Sequence, residues 1–466
     1  MSHTAIPARL SRSDLPEAAL PPERIVHLGL GAFHRAHQAW YTARAADAGE
    51  WGIVAFSGRS HELAQRLTEQ QGLYTLVQRD RDGDRFELIG SIVRAEAGDD
   101  VAAFLRALGA PSTAVLTITI TEVAYRLGSD GSLDLRDPTV QSDLTALTAL
   151  FHGSAGGPGA WPVMPLARVL LGLDARRLAD APTIALVSCD NLPDNGSVVR
   201  RILTDLARAT HPVLAGWLET GVSVVSTSVD RITPHPSAEE VKLLAAELPW
   251  GDAVPVVTEP FSDWVLSGDF PAGRPAWETS GARFVDEIAP WEHRKLWMLN
   301  GAHTLLAPAG RILGHRTVSD AITDPTCRRA VEAFWDEAQR HLPDLEIQDY
   351  REALVSRFSN PRIEHRLSQI SQDGLTKVQL RIVPIARRER ATGRSAEGCA
   401  AALGAWIAAV MSGIAAADAS TDEAASRPDP VLALLTLLDS SLADDADFAD
   451  AVRASAESWL AIADPH

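Results

Sequence analysis

The chain has 466 residues, 46% of them hydrophobic and 22% charged, and a formal net charge of −18. That length exceeds what one ordinary core supports and predicts two or three domains, with the composition of a soluble globular protein. The negative charge excludes nucleic acid and acidic membrane surfaces as partners, since nothing would neutralise their phosphates, and leaves a small molecule as the expected ligand.

The N-terminal segment lacks a continuous apolar run of the kind that directs secretion. Cys189, Cys327 and Cys399 are far apart and show no metal-ligand spacing, so neither a disulfide framework nor a metal site is expected, and a reducing cytoplasm fits best. Arg24 to Leu30 (RIVHLGL) predicts a short buried strand, which leads through Gly29 and Gly31 into a helically spaced stretch starting at Ala32 and Phe33. A strand, a glycine turn and a helix make a dinucleotide-binding entry, because glycines let the backbone approach a pyrophosphate lying on the helix N-terminus. The spacing is G-x-G-x-x-H, with His34 where the fingerprint wants its third glycine.

Trp51 to Phe56 predicts the second strand of this unit, and the residues after it run Ser57, Gly58, Arg59, Ser60, His61, Glu62. Arg59 suits a 2′-phosphate and Glu62 a free ribose, so NAD is the expected cofactor with NADP as the alternative. Leu73 to Gln78 and Arg85 to Ile89 read as a hairpin closed by Asp82-Gly83. Thr113 to Thr121 is a β-prone run ending in Glu122; Thr119, Thr121 and Glu122 are either nicotinamide-side contacts at a parallel strand's C-terminal end or a solvated strand end.

Helices are predicted over Thr139 to Phe151 and again up to Arg176, and Thr183 to Val187 is the next strand. It runs into Ser188-Cys189-Asp190-Asn191, where Asn191 can donate an amide hydrogen to a substrate oxygen, while Asn195-Gly196 sets the turn and caps the following helix. Val222 to Ser226 is the last clear strand, after which Asp230 and Arg231 form either part of a site or an ion pair. Val254 to Val257 and Gly281 to Val285 read as short strands closing the first domain.

From Trp291 the pattern turns helical. In Trp291 to Ala309 (WEHRKLWMLNGAHTLLAPA), Lys295, Asn300 and His303 interrupt an apolar run. On an α-helix Lys295 and His303 lie about 80° apart, so one side presents an amine, an amide and an imidazole; the other reading is a buried helix with a snorkelling lysine. Gly398 to Ala417 carries no charge and is about long enough to span a bilayer, but its Ala and Gly content predicts a tightly packed core helix. Asp418 to Pro430 reads as an exposed connection.

The stretches IVHLGLGAFHRAHQAWYT, LTITITEVAY, SCDNLPDNG, VDRITP, KLWMLNGAH, RFSNP and QDGLTK, in that order from about residue 24 to 377, together resemble the polyol-specific long-chain dehydrogenase family. That family includes mannitol 2-dehydrogenases and fructuronate reductases (D-mannonate oxidoreductases). The resemblance implies an α/β fold with a Rossmann-like N-terminal nucleotide-binding domain (1–285) and a largely α-helical C-terminal domain (286–466). It implies metal-independent hydride transfer between a nicotinamide and a secondary alcohol. Lys295 stands at the catalytic lysine, Asn191 and Asn300 at the amides that hold the reacting oxygen, and His303 at a substrate-hydroxyl contact. Asp230 and Lys377 match further polar groups near the substrate. The segment SNPRIEHRLSQISQDG is closer to the fructuronate reductase branch: Gln369 stands where the mannitol enzymes carry arginine. Arg366 is the candidate clamp for a sugar-acid carboxylate, its alternative being a solvated helix residue. A linear sugar acid is the first expected substrate, a neutral polyol the second, and a non-catalytic nucleotide-binding protein the reading from another class. A monomer or small homo-oligomer is expected.

Overall fold

Strand β1 (Glu23–Leu30) is buried from Ile25 to Leu28 and lies between β2 (Gly52–Ser57) and β6 (Val115–Ile118), paired with both in parallel register. The computed structural model describes residues 10–14, 20–58, 61–153, 161–234, 239–240, 243–244, 248, 250–415 and 419–463. The chain forms two compact units, Met1–Ala289 and Pro290–His466.

In the first unit the large sheet has the order β11-β10-β8-β7-β6-β1-β2-β5, with β5 (Ile92–Glu96), β7 (Ile184–Ser188), β8 (Val222–Asp230), β10 (Asp263–Ser267) and β11 (Arg283–Phe284). The six strands from β5 across to β8 are parallel, in the order 3-2-1-4-5-6 of a Rossmann fold. Strands are added outward in opposite directions from β1 and from β6, so the boundary between these two parallel strands is the switch point outside whose carboxyl end ligands bind. Helices α1 (Ala32–Ala36), α2 (Gln38–Arg44), α3 (Glu62–Glu69), α4 (Val101–Gly109), α5 (Pro138–Phe151), α6 (Pro165–Leu178), α7 (Asn195–Thr210) and α8 (Pro212–Gly221) complete the unit. Helix α5 starts one residue before the predicted Thr139, because Pro138 occupies its first turn and the Asp137 carboxylate accepts the N–H groups of Thr139 (2.7 Å) and Val140 (3.2 Å).

The predicted hairpin is β3 (Tyr74–Asp80) with β4 (Gly83–Ile89), in register from Tyr74↔Ile89 to Asp80↔Gly83. Strand β9 (Val256–Thr258) joins β3 in this separate three-stranded sheet rather than closing the large one. Strand β8 runs four residues past its predicted end, so Asp230 is a strand residue, because β10 pairs antiparallel with it from Ser267↔Ser226 to Asp263↔Asp230.

The second unit contains helices only among its described residues. They are α9 (Ala289–Arg294), a π-helix (Lys295–Asn300), α10 (Gly301–Ile312), α11 (Val318–Thr323), α12 (Pro325–Ala338), α13 (Ile347–Phe358), α14 (Leu367–Ile370), α15 (Gly374–Arg381), α16 (Val383–Ala391) and α17 (Glu397–Met411). Then come α18 (Ala419–Ala425), α19 (Pro430–Leu438), α20 (Ser440–Ala443) and α21 (Ala446–Ala463). The uncharged Ala/Gly stretch is α17, buried against α10, α12 and α21. A Cβ on Gly404 would lie 2.4 Å from Ser455 Oγ, and one on Gly398 2.6 Å from Ala333 O, so small residues are required where these helices touch. No described helix is long and apolar enough to cross a membrane. The expected exposed connection after residue 418 is largely α18, whose Thr421 and Ala424 are buried.

Candidate active site

At the carboxyl ends of β1, β2 and β6 lies a cavity of about 310 Å³, lined by Gly29, Gly58, Thr119, Thr121, Arg126 and Arg168 among others. Gly29 has φ +112°, and a Cβ there would sit 2.0 Å from the Thr119 carbonyl oxygen, so close strand approach demands glycine. Gly31 is extended (φ −149°) and no side chain caps α1 behind it, which leaves that turn open. Ala32 and Phe33 form the first turn of α1, half-buried, with the Phe33 ring stacked on His37 at 4.9 Å. Thr121 and Glu122 are exposed; only Thr121 lines the cavity. Arg59 lies outside the described residues.

His34 explains the missing third glycine. Its ring lies flat on that of His27 in β1, with centroids 3.3 Å apart and planes 9° from parallel. An imidazole between helix and strand separates them where glycine would let them touch, and the helix breaks at His37 (φ −121°, ψ −90°) into α1 and α2. Carbonyls at the break are met by distant donors: Tyr74 Oη bonds Arg35 O at 2.6 Å, and Arg231 bonds Ala36 O at 2.5 Å and Glu259 O at 3.2 Å. Thr117 and Thr119 hold His27 at 2.8 and 3.1 Å. Burial depresses both imidazoles, His27 to about 3 and His34 well below the usual range, so both are neutral.

At the end of β7, Asp190 is buried and takes hydrogen bonds from Tyr125 and from Ser188 (2.7 Å). Burial raises its carboxyl pKa against those bonds. Asn195 is not a cap: its amide joins β7 to β8, donating to Asp190 O (3.1 Å) and Thr227 O (2.8 Å) and accepting from Thr227 N (2.9 Å). This clamp fixes the loop on which Asn191 is exposed. Asp230 is 8% exposed at the end of β8.

In the second unit, residues 291–309 are not one uniform α-helix. Lys295–Asn300 is a π-helix, with Gly301 N bonded back to Leu296 O. Five residues along an α-helix turn Asn300 about 140° from Lys295, whereas the wider i→i+5 winding, about 4.4 residues per turn, reduces that separation to roughly 50°. The π turn therefore swings Asn300 to the Lys295 side. Its carbonyls are held from outside: Trp335 Nε1 donates to Met298 O (2.7 Å), and Thr304 Oγ1 (2.9 Å) and Arg381 (3.4 Å) donate to Asn300 O.

His303 is one turn further on, 8% exposed, and its Nε2 is buried with no hydrogen-bond partner among the described residues. Its ring packs on Phe358 (4.7 Å) and His365 (4.9 Å). Burial, then His365, Arg357 and Arg381, depress its pKa well below the usual range. Lys377 donates to Ile370 O (3.1 Å) and Gln372 O (2.6 Å), so it ties down the end of α14. Gln369 is exposed. Arg366 is exposed and its Nε pairs with Glu364 at 2.7 Å, which matches the solvated alternative rather than a clamp. The spacing of the sequence pointed to none of Arg357, His365 as a ring partner, or Arg381; RFSNP and the continuation of DGLTK contain two of them.

The mannitol dehydrogenase Rossmann domain model matches residues 23–279, and the mannitol dehydrogenase C-terminal domain model matches 287–458. The chain belongs to the mannitol dehydrogenase family. It is accordingly an oxidoreductase built on a Rossmann domain with a mainly helical second part. A D-mannonate oxidoreductase of Escherichia coli (strain K12) is 35% identical over 82% of this chain and 79% of its own length. A mannitol 2-dehydrogenase of Cereibacter sphaeroides is 34% identical over 84% and 81%. The Pseudomonas fluorescens mannitol 2-dehydrogenase, solved as a ternary complex with NAD and D-mannitol, superposes with a TM-score of 0.74 at 31% identity, covering 94% of this chain and 92% of that one.

Proposed function

We propose that the chain interconverts D-mannonate and D-fructuronate with NAD, moving a hydride between the secondary alcohol carbon and the cofactor. The observation that carries the reading is the π turn, which turns Lys295 and Asn300 to one side of a helix, one turn before a buried His303 Nε2 that has no hydrogen-bond partner among the described residues. An unmet buried polar atom beside an amine and an amide suits a polyhydroxylated ligand. The cavity behind Gly29 and Thr121, with the open turn at Gly31, suits a dinucleotide, and Arg126 and Arg168 in its lining would supply positive charge for the phosphates.

When bound, NAD takes up or supplies the hydride. Lys295 removes the hydroxyl proton in oxidation and returns it in reduction; for this its pKa has to fall from about 10.4 toward neutrality, the direction in which desolvation and cationic neighbours act. Asn300 donates to the reacting oxygen as alkoxide charge develops; Asn191, on the first unit, is proposed for the same kind of contact, Asp230 for positioning, and His303 Nε2 for a substrate hydroxyl. The free thiols of Cys189, Cys327 and Cys399 suit a cytoplasmic setting.

The second reading is a neutral polyol, supported by the nearly equal identity to mannitol 2-dehydrogenase. Purified enzyme is assayed for nicotinamide absorbance with D-mannonate, D-mannitol and D-arabinitol and with NAD and NADP. Turnover of mannonate with NAD is expected; turnover of mannitol with no response to mannonate overturns the sugar-acid reading.

A further inference from the structure

A turn in the wall of the cavity carries a further assignment, which rests on the placing of Asn191 at the reacting oxygen. After β6 the chain runs through Thr119 and Thr121 into a 3₁₀ turn, Glu122–Tyr125. Ala124 and Arg126 line the cavity, whereas Tyr125 between them is fully buried. The Tyr125 hydroxyl reaches the end of β7, the parallel neighbour of β6, and donates to Asp190 Oδ2.

Asp190 stands directly before Asn191, and its carboxylate holds the chain on both sides of that residue. Oδ2 accepts from Tyr125 and from Ser188 Oγ (2.7 Å). Oδ1 accepts from Leu192 N (3.2 Å), which closes an Asx turn with Asn191 at its centre. The Asp190 carbonyl is held as well, by Asn195 Nδ2 at 3.1 Å. With both neighbours tied, the backbone sets the direction in which the exposed Asn191 side chain leaves the loop. An apolar pair of similar shape would fill this space without the desolvation cost of a buried carboxylate, so orienting the loop accounts for the pair better than filling the core does.

We infer that Asp190 and Tyr125 are a positioning pair: they tie the wall of the cavity to the loop that carries Asn191 and so set where its amide meets the reacting oxygen. In this assignment neither residue takes part in the chemistry, and both act through Asn191.

Full-length wild type is compared with Tyr125→Phe, Asp190→Asn and Asn191→Ala, and with each of the first two combined with Asn191→Ala. The assays use saturating NAD and whichever of D-mannonate, D-mannitol and D-arabinitol the wild type oxidises fastest. Asn191→Ala is expected to lower kcat about 10²- to 10³-fold. Tyr125→Phe and Asp190→Asn should each lower kcat and kcat/KM together, by about 10- to 100-fold, with NAD affinity kept within about 3-fold. In the Asn191→Ala background either change should cost less than about 2-fold more, because the group it positions is gone. A pair that only stabilises the fold would cost the same factor in both backgrounds; that result overturns the assignment and leaves the role of Asn191 standing. Normal kcat in both Tyr125→Phe and Asp190→Asn has the same consequence. Near-normal kcat in Asn191→Ala overturns the role of Asn191 and the assignment together. Should Asp190→Asn fail to fold, Tyr125→Phe in the two backgrounds decides by the same comparison.

Discussion

Lys295 has a sharply testable role because an amine that only packs against neighbours contributes little that a methyl group cannot replace. Lys295→Ala is expected to lower kcat by about 10²- to 10⁴-fold while NAD still binds, as read by steady-state kinetics and by cofactor titration of the variant. Near-normal turnover would remove the lysine from the chemistry. The residues that line up with it were visible in the sequence as polar interruptions of an apolar run. Arg366 and Arg381 were not distinguishable in the same way. Both are arginines in a polar helical stretch, and what separates them is the partner: Glu364, two residues away on the surface, against Thr304, 77 residues away in the chain. His34 makes the same point. Its place in G-x-G-x-x-H looked like a defect in a glycine motif, and the ring of His27 seven positions earlier turns it into packing.

Among elements, the π-helix at 295–300 governs the second unit's contribution to the site. Its geometry costs α-helical hydrogen bonds, and it persists because Trp335, Thr304 and Arg381 satisfy the carbonyls around it. Trp335→Phe removes one of the two bonds to Met298 O, the other coming from Gly301 N–H, at a cost of about 0.5–1.5 kcal/mol. Urea unfolding should register that loss. In the same variant kcat should drop more than NAD affinity, since the cavity at Gly29 belongs to the other unit; an unaltered kcat would separate the π turn from catalysis. The strand assignments show which element features are local. Parallel strands β1, β2 and β7 appear as short apolar runs, because a strand covered on both faces needs no polar alternation. The extension of β8 to Asp230 has no such signal, since β10 creates it from more than 30 residues downstream.

Across the whole molecule, neutral buried histidines couple stability to acid. His27 and His34 in the first unit and His303 in the second have folded pKa values depressed by burial, below the unfolded value near 6.5. Above that pH neither state binds the protons. As pH falls below about 6.5 the unfolded chain takes them up and the folded chain does not, so stability is lost toward the folded values, by up to about 1.4 kcal/mol per pH unit for each imidazole. Urea midpoints measured from pH 7.5 to 5 should therefore fall steadily below pH 6.5, and His34→Gln should flatten the slope; a flat wild-type profile would contradict neutral burial.

By itself the sequence determined the class of fold, the order of the motifs, the family and the small set of polar residues worth following, because strand hydrophobicity, glycine turns and helical spacing act over a few neighbouring residues. Only the tertiary structure decided that His34 replaces a glycine by stacking, that Asn195 clamps two strands, that residues 295–300 turn as a π-helix, and that Arg366 pairs with Glu364 at the surface while Arg381 reaches Thr304. Each of those outcomes depends on a partner brought close by folding. For a charged or polar side chain the partner's distance and burial, rather than the residue type, decide whether it is solvated, structural or free to meet a ligand.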